Sequence, residues 1–430
     1  FSLNDDIVVS NPGTILNLNS AGVWAANNPA GTSSFIFSRG GAVVNINASD
    51  INGVNNANQV EGLLAGDSGT TGTGFISLGT SNISVPRLDV GAIVTGFDGN
   101  VSSTTGVLTG TSTATDYNTG FRLFRGVVSA KLAGVSTILK QGLGDATLSG
   151  DNSGLTGTVA ATRLDAGNLI LDYTSSNTNK ISAAAALDMR GATITLNGSA
   201  STPTTQAVNG FTLASGGANT ISMNAGAGQT TTLTLAGITR AASAGTVRLN
   251  LGADTFITTT TANGTHGLVG SSAFATVKDG TGTWFATRNG SNQIVAMAST
   301  VKNDVTTWAT GDHVTDDTTG YTGTITGAAL TNSVRHNAAT GSAVNLGSAG
   351  ILSIGSGGVL VTDQVTAGSP SILGGTLTSG VAEIIVTQDS SVTMEITSAI
   401  NSGNAITKTG NGTLRLSGIR SEEHTSELQS

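Results

Sequence analysis

The chain has no cysteine in 430 residues, only five prolines, and little charge of either sign. Without thiols it can form no disulfide, no thiolate nucleophile and no cysteine-ligated metal site, and the absence fits an exported or a cytosolic home equally. Charged residues make up 10% of the chain and aromatic residues 4%, against about 25% charged residues in an ordinary globular protein. The formal net charge is −8 and no basic run is present that could track phosphates, so nucleic acid is not an expected partner. No apolar run approaches the roughly 18 residues that a spanning helix needs. The chain opens on Phe1 with no charged-then-apolar leader. The expectation is therefore a fragment whose export signal lies upstream.

Glycine, by contrast, is abundant, with 60 residues, and apolar residues reach 38%. That hydrophobicity, with low net charge, argues against a disordered chain. Period-2 alternation recurs in Ile15-Leu-Asn-Leu-Asn19, Thr193-Ile-Thr-Leu-Asn197, Thr232-Leu-Thr-Leu235, Thr246-Val-Arg-Leu-Asn-Leu251 and Thr413-Leu-Arg-Leu-Ser417. Such segments put aliphatic side chains on one face and Thr or Asn on the other, as in short half-buried strands. Gly198, Gly226, Gly237, Gly245 and Gly252 punctuate them. The best helix candidate, Ala183–Ala186 leading into Leu187, reads as coil between strands. Asn-Gly hairpin signals occur at Asn52-Gly53, Asn197-Gly198 and Asn289-Gly290 but not between most strands. Short strands without hairpins, with a small branched core and few aromatics, favour a β-solenoid over a sandwich or propeller.

One phrase occurs twice. Lys140-Gln-Gly142-Leu-Gly144-Asp-Ala-Thr-Leu148-Ser149-Gly150 returns as Lys408-Thr-Gly410-Asn-Gly412-Thr-Leu-Arg-Leu416-Ser417-Gly418, and both fit K-x-G-x-G-x-x-x-L-S-G. Repetition of a glycine-punctuated strand is the mark of a repeat architecture. Gly142, Gly144 and Gly150 are expected at φ-positive corners. Leu148 should point inward, and Asp151-Asn152 should form an Asx-type corner.

The first copy continues through Asn152, Thr156, Gly157, Leu164, Gly167, Leu169 and Leu171. In this it resembles the autotransporter-associated, or passenger-associated, β-strand repeat. It departs from that pattern at Ala146, where Leu is typical, at Leu155, where an aromatic is typical, and by an extra residue near Ser153-Gly154. The resemblance covers residues 138–419 and touches 1–137 in style only. It implies an all-β, right-handed parallel β-helix belonging to the passenger of a large bacterial protein, extracellular or on the cell surface and associated with the outer membrane. It also implies an outer-membrane β-barrel translocator beyond this stretch, and surface glycans or host and neighbouring-cell surfaces as partners.

The expected organisation is an N-terminal solenoid segment at 1–137, a passenger-type β-helix at 138–407, the start of another repeat at 408–419 and a foreign tail at 420–430. That tail, Arg420-Ser-Glu-Glu-His-Thr-Ser-Glu-Leu-Gln-Ser430, has no strand alternation and resembles a translated sequencing adapter. Leaving out its one Arg and three Glu moves the net charge from −8 to −6.

No residue is assigned a catalytic, cofactor-binding or metal-ligating role, and the expected function is a non-enzymatic stalk or adhesin-like scaffold. Alternatives are a carbohydrate-active β-helix enzyme, which needs carboxylates converging from adjacent coils, or a phage tailspike-like fibre, because β-helices host several functions. Gly66-Asp67-Ser68-Gly69 copies a serine-protease phrase, but no His precedes His266 and a Ser nucleophile needs a His base. Asp312-His313-Val-Thr-Asp316-Asp317 is the densest polar cluster. It matches no Ca²⁺-loop spacing and reads as a solvated loop, as does Asn4-Asp5-Asp6. Trp284-Phe285 and Trp308 read as packing residues rather than a sugar-stacking platform.

Overall fold

A computed structural model describes residues 7–19, 35–47, 51–52, 62–66, 71–93 and 97–418, except 159, 215, 242 and 402. The protein is a parallel β-solenoid, and among the described residues one short 3-10 turn, Val305–Thr307, is the sole helical element. Ala183–Ala186 is turn and bend leading into the strand Leu187–Met189. The chain forms two compact units, one of residues 1–215, 219–239 and 251–258, the other of 216–218, 240–250 and 259–430.

In the first unit successive strands go to different faces, and each face is a parallel ladder. One ladder includes Gly126–Val128, Asp145–Leu148, Asn168–Asp172, Thr193–Asn197 and Ala218–Asn224. A second runs through Arg87–Val90, Gly120–Leu123, Ile138–Lys140, Thr162–Leu164, Leu187–Met189 and Phe211–Leu213. A third holds Ile83–Val85, Val107–Gly110, Lys131–Gly134 and Gly154–Leu155. Residues paired in neighbouring coils lie from 17 positions apart, as Leu123 and Lys140, to 33 apart, as Leu88 and Phe121, so the coils differ in length.

Register follows from the alternation. Val128, Leu148, Leu171, Leu196 and Met223 stack as one buried inward column. No coil could bury such a face alone, so stability comes from neighbouring coils. Outward positions stack as well. Asn45 Nδ2 donates to Asn17 Oδ1 at 2.9 Å, Asn224 Nδ2 to Asn197 Oδ1 at 2.9 Å, and Thr258 Oγ1 to Thr234 Oγ1 at 3.1 Å. These are side-chain ladders parallel to the backbone ones.

The repeated phrase acquires a mechanism here. Lys140 lies on the inner side of its strand, fully buried between Leu123 and Leu164. Its Nζ donates to the carbonyls of Gln141 (2.9 Å), Gly142 (2.8 Å) and Ala166 (3.2 Å). Lys408 repeats the contact that Lys140 makes with Gly142, donating to the Gly410 carbonyl. Gly142 and Gly410 take φ of +72° and +78°, which turns their carbonyls toward the ammonium at no steric cost. Burial pushes the Lys140 ammonium down to about 8.

Gly144 and Gly150 differ from the expectation, because neither has a positive φ. Gly150 is required by close approach: a Cβ there would fall on the backbone carbonyl of Ala130 in the preceding coil. Gly150→Ala is therefore expected to cost about 3 kcal/mol through overpacking, read as a lowered urea midpoint. An unchanged midpoint would remove the close-approach argument. Leu148 is buried as expected. Asp151 Oδ1 accepts from Ser153 N at 3.2 Å as an Asx corner, while Asn152 is buried and joins coils. Its Oδ1 accepts from Leu132 N (2.9 Å) and its Nδ2 donates to the Lys180 carbonyl (3.1 Å).

The second unit departs from pure coil winding. Ala275–Asp279, Gly282–Arg288 and Ile294–Ala296 form an antiparallel meander. Asn289-Gly290 lies in its second turn, whereas Asn197-Gly198 ends a strand without reversing it. Gly53 lies outside the described residues. After the meander, Thr300–Val301, His313–Thr315, Ala328–His336 and Ile351–Val361 pair in parallel. The eleven-residue strand Ile351–Val361 bends at Gly357 (φ +71°) and pairs with Thr376–Ser379 before the bend and with Glu383–Gln388 after it. The core includes Val314, Val334, Val344, Leu352, Ile354, Val359 and Ile384.

Candidate functional site

The polar cluster singled out in the sequence does not converge. His313–Thr315 is a strand rather than a loop, so side chains along it alternate between its two faces. Asp312 accepts from Lys302 Nζ at 2.5 Å and from Ala309 N at 2.8 Å. Partial burial pushes its carboxyl up, but the Lys302 bond and the Ala309 amide outweigh this, and the group sits below its usual range. Asp316 is buried and accepts from the backbone amides of Asn337 (2.6 Å) and Ala338 (3.0 Å). Asp317 is in solvent, and the Thr319 amide with the Asn303 side chain lowers its carboxyl. These three carboxylates answer three separate structural demands. Among the described residues no group of three or more His, Asp or Glu could hold a metal ion. Asp67-Ser68-Gly69, Asn4-Asp5-Asp6 and the tail at 420–430 lie outside the described residues.

Behind Asp316 is a closed polar core that sequence reasoning missed. Arg335 is 2% exposed. It donates from Nε to the Thr283 carbonyl (2.9 Å), from Nη1 to Thr315 Oγ1 (3.1 Å) and from Nη2 to Asn337 Oδ1 (2.7 Å). Its guanidinium lies 3.8 Å from the ring centroid of Trp284, a cation–π contact that accounts for that tryptophan as packing. Tyr321 donates its hydroxyl to the Arg335 carbonyl at 2.7 Å, and its ring stands edge-on to Trp308 (5.3 Å) and to His336 (5.1 Å). His336 is fully buried, and among the described residues neither ring nitrogen has a hydrogen-bond partner. Both faces of the strand are covered here, so Asn332 through His336 are all buried and period-2 alternation fails.

Trp308 also forms part of a trough open to solvent. Val305, Trp308 and Ile325 make its buried floor, and Thr306, Thr310, Thr324, Thr326, Gly327 and Leu330 stand around it. Its volume is about 430 Å³. Trp308 is fixed by its Nε1, which donates to the Lys302 carbonyl at 3.0 Å, and the turn before it is capped by Asp304 accepting from Thr306 N at 3.0 Å. Among the described residues no ionisable side chain lines the trough. The packing role expected for Trp308 and Phe285 is observed, since both are buried.

No known protein-family profile matches the chain, and no solved structure matches it. One curated protein, described as "Adhesin BmaC autotransporter" from Brucella suis biovar 1 (strain 1330), is 29% identical over 270 residues. The match takes in 60% of this chain and 8% of that protein's length.

Proposed function

We propose that the chain is a non-enzymatic, exported segment of a bacterial autotransporter-type passenger, acting as an adhesin-like scaffold at the cell surface. The observation that carries this reading is the stacking of uncharged side chains in register, coil after coil, as in the Asn17–Asn45 and Asn197–Asn224 pairs. A surface so tiled repeats one chemistry at a fixed spacing, so weak contacts to a glycan-coated or cellular surface multiply by avidity. Similarity to a named autotransporter adhesin supports the same reading. So does the lysine-capped corner of the repeated phrase, a device that serves winding rather than chemistry. The partners implied are surface glycans or neighbouring cells, and an outer-membrane β-barrel translocator encoded beyond this stretch.

Beads coated with the purified chain at graded densities provide the test. Attachment to epithelial cells or to bacterial cells should rise more steeply than linearly with coating density. No attachment at any density, together with depolymerisation of a polysaccharide by the soluble chain, would replace the scaffold with the enzyme alternative.

A further inference from the structure

The trough over Trp308 is built for something that the repeating ladders do not explain. Its floor is apolar and rigid: Val305, Trp308 and Ile325 are buried, and Trp308 is held by its bond to Lys302 and by the ring of Tyr321. Its walls carry hydroxyls. Those of Thr310, Thr324 and Thr326 form no bond within the described residues, whereas Thr306 Oγ1 donates to Asp304 Oδ1 at 2.7 Å and keeps its acceptor capacity. The rim is apolar and exposed at Leu330, 49%. A chain with so few aromatic residues has placed one of its three tryptophans under an open cavity.

From this arrangement we infer that the trough is a binding site for a neutral saccharide of one or two rings. Sugars present both a hydroxyl edge and an apolar C–H face, and the trough offers partners for each. Its volume of about 430 Å³ falls in the range of small-molecule sites, about 300–1,000 Å³. An anionic sugar finds no cation among the described lining residues, and burying its carboxylate unpaired is costly. A purely apolar ligand would leave the threonine hydroxyls desolvated and unpartnered. The inference deepens the adhesive reading by naming a ligand class, and it rests on that reading for its biological setting alone.

Saturation-transfer NMR and calorimetry on the full chain, with lactose, cellobiose and N,N′-diacetylchitobiose as probes and 3′-sialyllactose as the charged control, test it. At least one neutral probe should bind with a dissociation constant of millimolar order, and 3′-sialyllactose should bind no better than lactose. Gly327→Glu should weaken binding at least tenfold. A Cβ at Gly327 meets nothing within 4 Å, so the variant should fold as the parent does. Thr326→Val, which keeps the shape and removes a hydroxyl, should weaken binding severalfold. Absence of binding by all three neutral probes, a preference for 3′-sialyllactose, or full binding by Gly327→Glu would each overturn the site. Sugar binding lost in Gly327→Glu without loss of bead attachment would keep the site and count against its role in adhesion. Bead attachment without any sugar binding would keep the scaffold and remove the site.

Discussion

Glu383→Ala should destabilise the second unit by about 3–5 kcal/mol, the usual cost of leaving one buried charge without its partner. Glu383 and Arg240 form a bidentate pair, with Nη1 to Oε2 at 2.9 Å and Nη2 to Oε1 at 3.0 Å, and their side chains are 5% and 7% exposed. Arg240 also donates to the carbonyls of Gly245 and Ala244 (2.8 Å each) and lies over the ring of Phe274, while Thr407 donates its hydroxyl to Glu383. Removing the carboxylate leaves a largely buried guanidinium with its two carbonyl partners and the Phe274 ring. The pair joins residues 143 positions apart, so the loss should be felt as a cooperative drop in the urea midpoint rather than local fraying. Replacing both residues by leucine should cost much less, because desolvation of the pair offsets most of its attraction. Equal losses in the single and double variants would show that packing, and not the unpaired charge, sets the cost.

The solenoid was readable because one physical rule governs most of the first unit. Where a strand is covered on one side only, as at Thr193–Asn197 with Ile194 and Leu196 inside and Thr195 outside, alternation reports orientation directly. The rule lapses where the second face is also covered. Ser333-Val-Arg-His336 carries two titratable residues at positions that composition assigns to solvent, yet all four are buried, because the meander supplies Thr283 and Trp284 to receive Arg335. That meander had its own signal: Asp279-Gly280 ends its first strand, and Asp-Gly is a strong hairpin dipeptide. The burial of Lys140 was not legible for a different reason. A lysine in a strand phrase reads as exposed, and only the three-dimensional corner reveals the carbonyls that take its three protons. The trough had a single visible token, Trp308. The threonines around it are the commonest outward residues of such strands and cannot be told apart from the ladders by sequence.

Acid should weaken the second unit well before its carboxylates protonate. His336 is fully buried, with the edge of Tyr321 against its ring and no partner for either nitrogen among the described residues. Burial pushes its protonation from 6.5 down to about 4, although the Asp316 carboxylate pulls the other way. An unfolded imidazole takes its proton near 6.5 and the folded one only near 4. Between those values the unfolded state binds more protons, so stability is complete above pH 6.5 and declines as pH falls through the window. At about 1.4 kcal/mol per pH unit, the loss amounts to about 3 kcal/mol by pH 4. Burial likewise lowers His313, which adds to the decline with the same sign, so the parent's slope alone does not isolate His336. His336→Phe does. It keeps a ring against Tyr321 and discards two unsatisfied nitrogens, so it should equal or exceed the parent in unfolding free energy at pH 7. Its stability should then lie increasingly above the parent's as pH falls from 6.5 to 4.5. Parallel curves for parent and variant across that interval would mean that the buried imidazole contributes nothing to the acid response.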